Sequence, residues 1–237
     1  KYVEPNTHGD WLQRVDALKR DHPSNLVRET DKLIPQYVIK EISAATNGEA
    51  IIVTGVGQHQ MWAAQHYGFK DARTLVSSGG SGAMGYEVPG ALGAQVGRPD
   101  KVVWSIAGDG GFQMTMSEMA TMVENKIPVK IAIINNNVLG MVRQWQQSFY
   151  NKSYVATRYS RNPDFAKLAE GFGCFGARVT DKSQVRSAIR AAMAYDGPAI
   201  VDFIVEEEEN VYPFIPSGQS VHEMIEDPSY HRQGARR

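Results

Sequence analysis

The chain has 237 residues, with 25 Lys and Arg against 26 Asp and Glu and a formal charge of −1. That balance offers no basic face for nucleic acid or an anionic membrane, and no apolar run approaches the roughly 20 residues needed to cross a bilayer. A single cysteine, Cys174, excludes an internal disulfide and suits a reducing compartment.

In chain order, residues 1–30 are polar and punctuated by Pro5, Gly9 and Pro23, and read as a linker with one short helix near Asp10–Arg20. The first residue is Lys rather than Met, without a signal-peptide pattern, so the chain is expected to be cut from a longer one. Helical spacing runs over Lys32–Thr46 and stops at Asn47-Gly48. A strand at Ala50–Thr54 leads to a helix at Gly57–His66. A short strand at Leu75–Ser77 precedes a glycine-rich turn and a helix around Ala83–Val96, where Pro89 predicts a kink or a late start. The strand Val102–Ile106 feeds Gly108-Asp109-Gly110, followed by a Met-rich helix at Met114–Glu124. A strand at Val129–Ile134 ends in Asn135-Asn136-Asn137, before a helix at Leu139–Phe149. After a polar loop at Asn151–Asn162 come a helix (Phe165–Phe172), a strand (Phe175–Val179), a helix (Lys182–Ala194) and a strand (Ala199–Val205). Strands alternating with helices predict an α/β fold, a doubly wound, mostly parallel sheet with helices on both faces. The expected organisation is linker 1–30, domain 31–205 and tail 206–237. Glu206–Glu209 reads as a solvated acidic turn, and Cys174, Met116, Met119 and Met122 as core.

Asp109 and Asn136 each follow a hydrophobic strand, and in a parallel sheet with right-handed crossovers such ends share one edge. A carboxylate and an amide oxygen beside exposable backbone N–H groups suit a divalent cation carrying a diphosphate. Taken singly, Asp as a helix cap and Asn as a turn residue explain them equally well.

A GDG followed by NN one helix and strand later is the signature of thiamine-diphosphate enzymes. The flanking words GVGQHQMWAAQHYG (Gly55–Gly68), SSGGSGAMG (Ser77–Gly85), ENKIPVKIAIINNNVLGMVRQWQ (Glu124–Gln146) and FIPSG (Phe214–Gly218) narrow the match. From about Lys32 to Gly218 the chain resembles the C-terminal, cofactor-binding domain of the acetohydroxyacid synthase (acetolactate synthase) catalytic subunit. It departs from that pattern at Gly85-Tyr86-Glu87-Val88-Pro89-Gly90, where GFGLPAA is usual, at Ser81 for Leu, and at Gln219 after PSG.

The resemblance implies thiamine diphosphate and Mg2+ as cofactors, with Asp109, Asn136 and the Val138 carbonyl on the metal. It implies cofactor contacts at Val56, Gly57, Gln58, His59, Gly82, Met84, Gly108, Gly110, Gly111, Met114, Gly140 and Met141, and a substrate-channel role for Trp145. Gly110 and Gly111, lacking Cβ, are expected to let the phosphates approach, and Met114 to wedge between the cofactor's rings. The implied reaction joins two 2-ketoacids with loss of CO2, in branched-chain amino-acid biosynthesis. It also implies a homodimer or tetramer, a possible regulatory subunit, and a bacterial cytoplasm or an organellar stroma or matrix.

The activating glutamate of the family comes from a partner's N-terminal domain, and FAD from a middle domain. Nothing in the chain matches either, and Glu87 is offset from any such position. The chain is therefore expected to hold half an active site, with no catalytic residue assigned to it. The competing readings are another thiamine-diphosphate enzyme, of catabolic acetolactate synthase or pyruvate oxidase type, and a non-catalytic binding module. A nucleotide-binding dehydrogenase is disfavoured, because no GxGxxG follows the first strand with an acidic residue beyond it.

Overall fold

The computed structural model describes residues 8–22 and 25–228. It divides into two compact units, one of residues 29–211 and one of residues 1–28 with 212–237. The parts of the expected linker at 1–7 and 23–24, and of the expected tail at 229–237, lie outside the described residues.

Within the smaller unit, α1 (Gly9–Asp21) occupies the helix expected near Asp10–Arg20 and has no buried residue. Phe214 and Ile225 form an isolated antiparallel bridge, and Ser220 and Glu223 cap a short 3-10 turn reciprocally.

The larger unit begins with α2 (Pro35–Ala45), which Pro35 opens at a position where a missing N–H costs nothing. Six strands follow: β1 (Ile51–Thr54), β2 (Leu75–Ser77), β3 (Val103–Gly108), β4 (Lys130–Asn135), β5 (Phe175–Val179) and β6 (Ala199–Ile204). They form one sheet in the order β2-β1-β3-β4-β6-β5, every neighbouring pair parallel. The expected "mostly parallel" sheet is parallel throughout. β1, β3 and β4 are buried along almost their whole length, as strands covered on both faces must be.

Between the strands run α3 (Gln58–His66), α4 (Glu87–Gly97), α5 (Asp109–Thr115), α6 (Glu118–Glu124), α7 (Gly140–Phe149), α8 (Phe165–Phe172) and α9 (Val185–Ala194). α2, α3 and α9 pack their apolar residues on one face of the sheet, around Trp62, Trp104 and Ile189. α4, α5, α6 and α8 pack on the other, around Phe112, Met119 and Phe165. This is the doubly wound arrangement the alternation predicts.

Several boundaries moved for local reasons. Pro89 is accommodated by a late start: α4 opens at Glu87, which puts the proline in the first turn. The Met-rich segment is two helices rather than one, and α5 starts directly at Asp109. Tight bonds from Met119 N–H to Met116 O (3.0 Å) and from Ala120 N–H to Ser117 O (3.1 Å) redirect the chain between them. That turn sends Met119 and Met122 fully into the core and leaves Met114 exposed. The expected helix at Lys182–Ala194 begins as a 3-10 turn, Lys182–Gln184, capped by Asp181.

The larger unit runs past residue 205. Arg143 donates to the Glu209 carbonyl (2.9 Å) and Asn210 Oδ1 (2.7 Å), and Gln144 exchanges bonds with both backbone groups of Val211 (2.9 and 3.0 Å). Glu206–Glu209 is accordingly not a free acidic turn. Glu206 pairs with Lys32, Glu207 and Glu208 with Arg158, and Glu209 is buried, accepting from Gln36 Nε2 at 3.1 Å. Cys174 is in the core as expected, and burial pushes its thiol up to about 11.

Candidate cofactor site

In the sheet order, the crossover from β1 leads outward to β2 on one side, while β3 and β4 lie on the other. Open α/β sheets take their ligands at such a switch point, outside the carboxyl ends of the strands. A cleft of about 450 Å³ lies there, lined by the residues after β1 (Val56–His59), after β3 (Gly108–Gly111) and after β4 (Asn136, Val138–Val142), with Trp62, Met84 and Ile134. Ten of the twelve expected cofactor contacts are in this lining, with Asp109 and Asn136 as two more and Val138 beside them. Gly82 and Met114 are not, and neither is Trp145, which is half-exposed and packs edge-on against Phe149 with ring centroids 6.5 Å apart.

β3 and β4 pair Gly108 with Ile134, so Asp109 and Asn136 emerge side by side from neighbouring strands. Asp109 is 2% exposed. Its Oδ1 accepts from the Gly110 N–H at 3.0 Å and its Oδ2 from Asn162 Nδ2 at 2.7 Å. Burial drives its carboxyl up to about 6, against the opposing pull of Asn162 and of nearby backbone N–H groups. A buried carboxylate supplied only with neutral donors is a favourable place for a cation.

The three asparagines separate in role. Asn135 Nδ2 donates to the buried Asp202 (2.9 Å), and its Oδ1 receives the Asn137 N–H (3.2 Å) and Asn162 Nδ2 (3.1 Å). Asn137 takes a left-handed conformation and donates to the Tyr159 carbonyl at 3.1 Å. Only Asn136 faces the cleft; its Nδ2 donates to Gln58 Oε1 at 3.2 Å, which leaves its Oδ1 as the atom able to act as a ligand. Val138 bridges to Arg158 through Leu139 N–H to Thr157 O (2.8 Å) and Tyr159 N–H to Asn137 O (3.2 Å), bonds that do not use the Val138 carbonyl. Among the described residues no three His, Cys, Asp or Glu side chains cluster. A cation here would be held by one carboxylate, one amide and one main-chain carbonyl, all hard oxygen donors of the kind Mg2+ accepts.

Two of the expected contact sites also have a role within the protein. Gly110 and Gly111 make room for side chains of the chain itself. A Cβ at Gly110 would run into the Tyr159 hydroxyl, and one at Gly111 into the Glu87 carboxyl. With any larger residue there, those side chains would have to move. The Gln58 amide is also fully engaged, its Nε2 donating to Gln144 Oε1 (2.9 Å) and to the Glu209 carbonyl (3.0 Å). Gln58 therefore ties α7 and the 209–211 segment to the cleft wall.

Sequence reasoning passed over Asn162, Tyr159 and Gln144, and weighed Glu87 only as an activating acid, for which it is offset. Asn162 closes a loop of ordinary polar composition and carried no signal. Glu87 carried one: an acid between Tyr86 and Val88, at the start of a helix that lies on the sheet.

Residues 55–203 match the family described as "Thiamine pyrophosphate enzyme, C-terminal TPP binding domain". The match covers more than half of the chain and spans the sheet from the end of β1 into β6, with the whole cleft inside it. The chain belongs to this family of thiamine pyrophosphate (thiamine diphosphate) binding domains.

Within that class it is similar to acetolactate synthases. It is 46% identical over 224 residues to the acetolactate synthase large subunit of Corynebacterium glutamicum, an alignment covering 92% of this chain and 36% of that protein. Against acetolactate synthase 1, chloroplastic, of Nicotiana tabacum it is 45% identical over 223 residues, covering 91% of this chain and 33% of the relative. Against the acetolactate synthase isozyme 2 large subunit of Escherichia coli it is 39% identical over 223 residues, covering 94% and 41%. The chain thus spans about a third to two-fifths of the length of these relatives.

Proposed function

We propose that this chain is the cofactor-binding part of an acetohydroxyacid synthase, which joins pyruvate to a second 2-ketoacid, pyruvate or 2-ketobutyrate, with loss of CO2. The observation that carries the reading is the convergence of Asp109, Asn136 and the Val138 carbonyl on the cleft, within a domain of the thiamine pyrophosphate family. When bound, thiamine diphosphate supplies the electron sink that makes a carbonyl carbon nucleophilic. The chain's own residues bind and orient it. Asp109, Asn136 and Val138 hold Mg2+, an anchor and template for the diphosphate rather than a Lewis acid at the reacting carbon. Val56, Gly57, His59 and Gly108 wall the anion's side of the cleft, and Met84, Gly140 and Met141 extend that wall.

Gly82 and Met114 belong to the ring-binding end. A Cβ at Gly85 would touch that of Met114, so Met114 borders the Met84–Gly85 turn even though it stands outside the present cleft. Trp145, exposed on α7, is assigned to the substrate wall. Residues 1–30 connect to upstream domains, and these carry the activating glutamate and the FAD site. Assembly is a homodimer or higher, and the "large subunit" in relatives' names fits a regulatory partner. We assign the enzyme to a bacterial cytoplasm or an organellar stroma or matrix, a reading supported by its bacterial and chloroplastic relatives; no helix among the described residues is long and apolar enough to cross a membrane.

The test is calorimetric titration of thiamine diphosphate, with and without Mg2+, into the chain and its Asp109→Ala variant. Metal-dependent binding that the variant loses is expected. Metal-independent binding, or binding unchanged in the variant, would overturn the metal assignment.

A further inference from the structure

Directly behind the cleft wall stands a group that the binding of a metal diphosphate leaves unexplained. Glu87, the first residue of α4, is 0% exposed, and neither of its carboxyl oxygens meets a hydrogen-bond partner. The backbone is shaped around it: a Cβ at Gly55, after β1, or at Gly111, in α5, would collide with the carboxyl. A buried carboxyl without a side-chain partner is costly to keep, and two glycines keep its place open.

The side chain that faces it is the His59 imidazole. Its Nε2 is also buried and without a partner, and it lies 3.9 Å from Glu87 Oε1. The gap exceeds a hydrogen bond by less than 1 Å and is too narrow for a well-formed bridging water, so the groups meet directly after a small side-chain rotation. The opposite edge of the ring faces the cleft. His59 Nδ1 packs over Gly57 and Gly108, where a Cβ would lie 3.1 and 2.9 Å from it, and the residue lines the cavity. His59 therefore spans the wall, one nitrogen toward the ligand space and the other toward Glu87.

We propose that Glu87 is a positioning residue for the anionic ligand of the cleft. Its carboxyl engages His59 Nε2 and keeps the ring proton on Nδ1, as an N–H donor for a phosphate oxygen. The assignment rests on the diphosphate reading of the cleft and adds to it a residue in the wall behind the ligand. While the pair keeps two protons, two arrangements are open to it, and both give this result. A protonated Glu87 donates to a neutral imidazole whose own proton is then on Nδ1, and an ionised Glu87 accepts from an imidazolium that carries protons on both nitrogens. Burial favours the first, raising the Glu87 carboxyl to about 7 and lowering the His59 imidazole to about 4. The N–H groups of Glu87 and Gly85 oppose the Glu87 shift without cancelling it. Once one proton is lost, an ionised Glu87 draws the ring proton of a neutral imidazole to Nε2, so the experiment is run below pH 7. An imidazole without this partner prefers its proton on Nε2, and would turn an acceptor lone pair toward the phosphate.

The experiment compares wild type, Glu87→Gln and Glu87→Met in the 237-residue chain. One readout is the 15N ring shifts of histidine, with His59 identified by its loss in His59→Gln. The other is calorimetric binding of inorganic pyrophosphate with Mg2+. Wild type is expected to hold the Nδ1–H form. Glu87→Gln keeps it, because the amide N–H2 still donates to Nε2, and keeps pyrophosphate affinity within about threefold. Glu87→Met shifts His59 to the Nε2–H form and weakens pyrophosphate about tenfold, the loss of one hydrogen bond to an anion. An unchanged His59 tautomer and affinity in Glu87→Met overturn the proposal and leave the diphosphate reading standing. No pyrophosphate binding by wild type, with the tautomer shift still present, overturns the diphosphate reading and the anion-binding half of the proposal, and retains the Glu87–His59 contact. Should Glu87→Met fail to fold, Glu87→Gln and wild type still decide the matter: wild-type His59 protonated only on Nε2 overturns it.

Discussion

Glu87 makes the pH dependence of stability a single-residue measurement. Burial raises its carboxyl from an ordinary value of 4.5 to about 7 in the folded chain. Below pH 4.5 the folded and unfolded forms are both protonated, and the group has no effect. As pH rises from there, the unfolded chain releases the proton while the folded chain retains it, so stability falls until pH passes about 7. A shift of this size corresponds to about 3 kcal/mol. The stability of wild type relative to Glu87→Gln should therefore decline by about that amount between pH 4 and pH 8, read by urea unfolding at each pH. His59 runs in the opposite sense, since its imidazole is held neutral and stability is lost as pH falls below 6.5 through about 4. His59 is present in both proteins, and since it faces Glu87 the comparison reads the carboxyl together with any change its loss makes in the imidazole. A difference that does not change with pH would show that Glu87 is not buried as a neutral acid.

At the scale of elements, α7 is held less by apolar packing than by a buried polar lock. Gln144 is fully buried and accepts from both Gln58 Nε2 and the Val211 N–H, while its own amide donates to the Val211 carbonyl. Replacing Gln144 with Ala strands two buried backbone groups, which predicts a loss of about 3 kcal/mol in denaturant unfolding. Gln146→Ala, which removes two bonds to the exposed Val155 backbone, should cost under about 1 kcal/mol. Similar losses for the two variants would remove the lock as an explanation. The helices and strands were legible to within a few residues because their apolar periods are strong. The break at Met116–Ser117 was not, because all the residues around it tolerate a helix and only the bonds back to Met116 O and Ser117 O reveal the turn. Asp109 and Asn136 could be read from their places after two apolar strands. Asn162 could not, since its role comes from where a loop of no marked composition returns.

For the molecule as a whole, ten expected cofactor contacts and the three expected metal ligands fell into one cleft because a parallel sheet sends every strand end to one rim. The exceptions Gly82, Met114 and Trp145 lie on a turn or an exposed helix surface, where strand periodicity carries no information. A ligand that binds only the finished rim stabilises the whole unit by mass action: about 2.7 kcal/mol at a hundred times Kd. With Mg2+ and thiamine diphosphate at that level, Tm should rise by roughly 5–10 °C and remain unchanged in Asp109→Ala. An equal rise in both proteins would place the ligand elsewhere. The parallel sheet also has a kinetic side. No two of its strands can pair through a hairpin, and β4 must find β6 across α7, α8, β5 and α9. Long-range pairings of this kind form late, after the entropy of closing large loops has been spent. The cleft is walled by the ends of β1, β3 and β4, so it takes shape only once those three strands have paired, and a chain that binds its cofactor has already assembled the middle of its sheet.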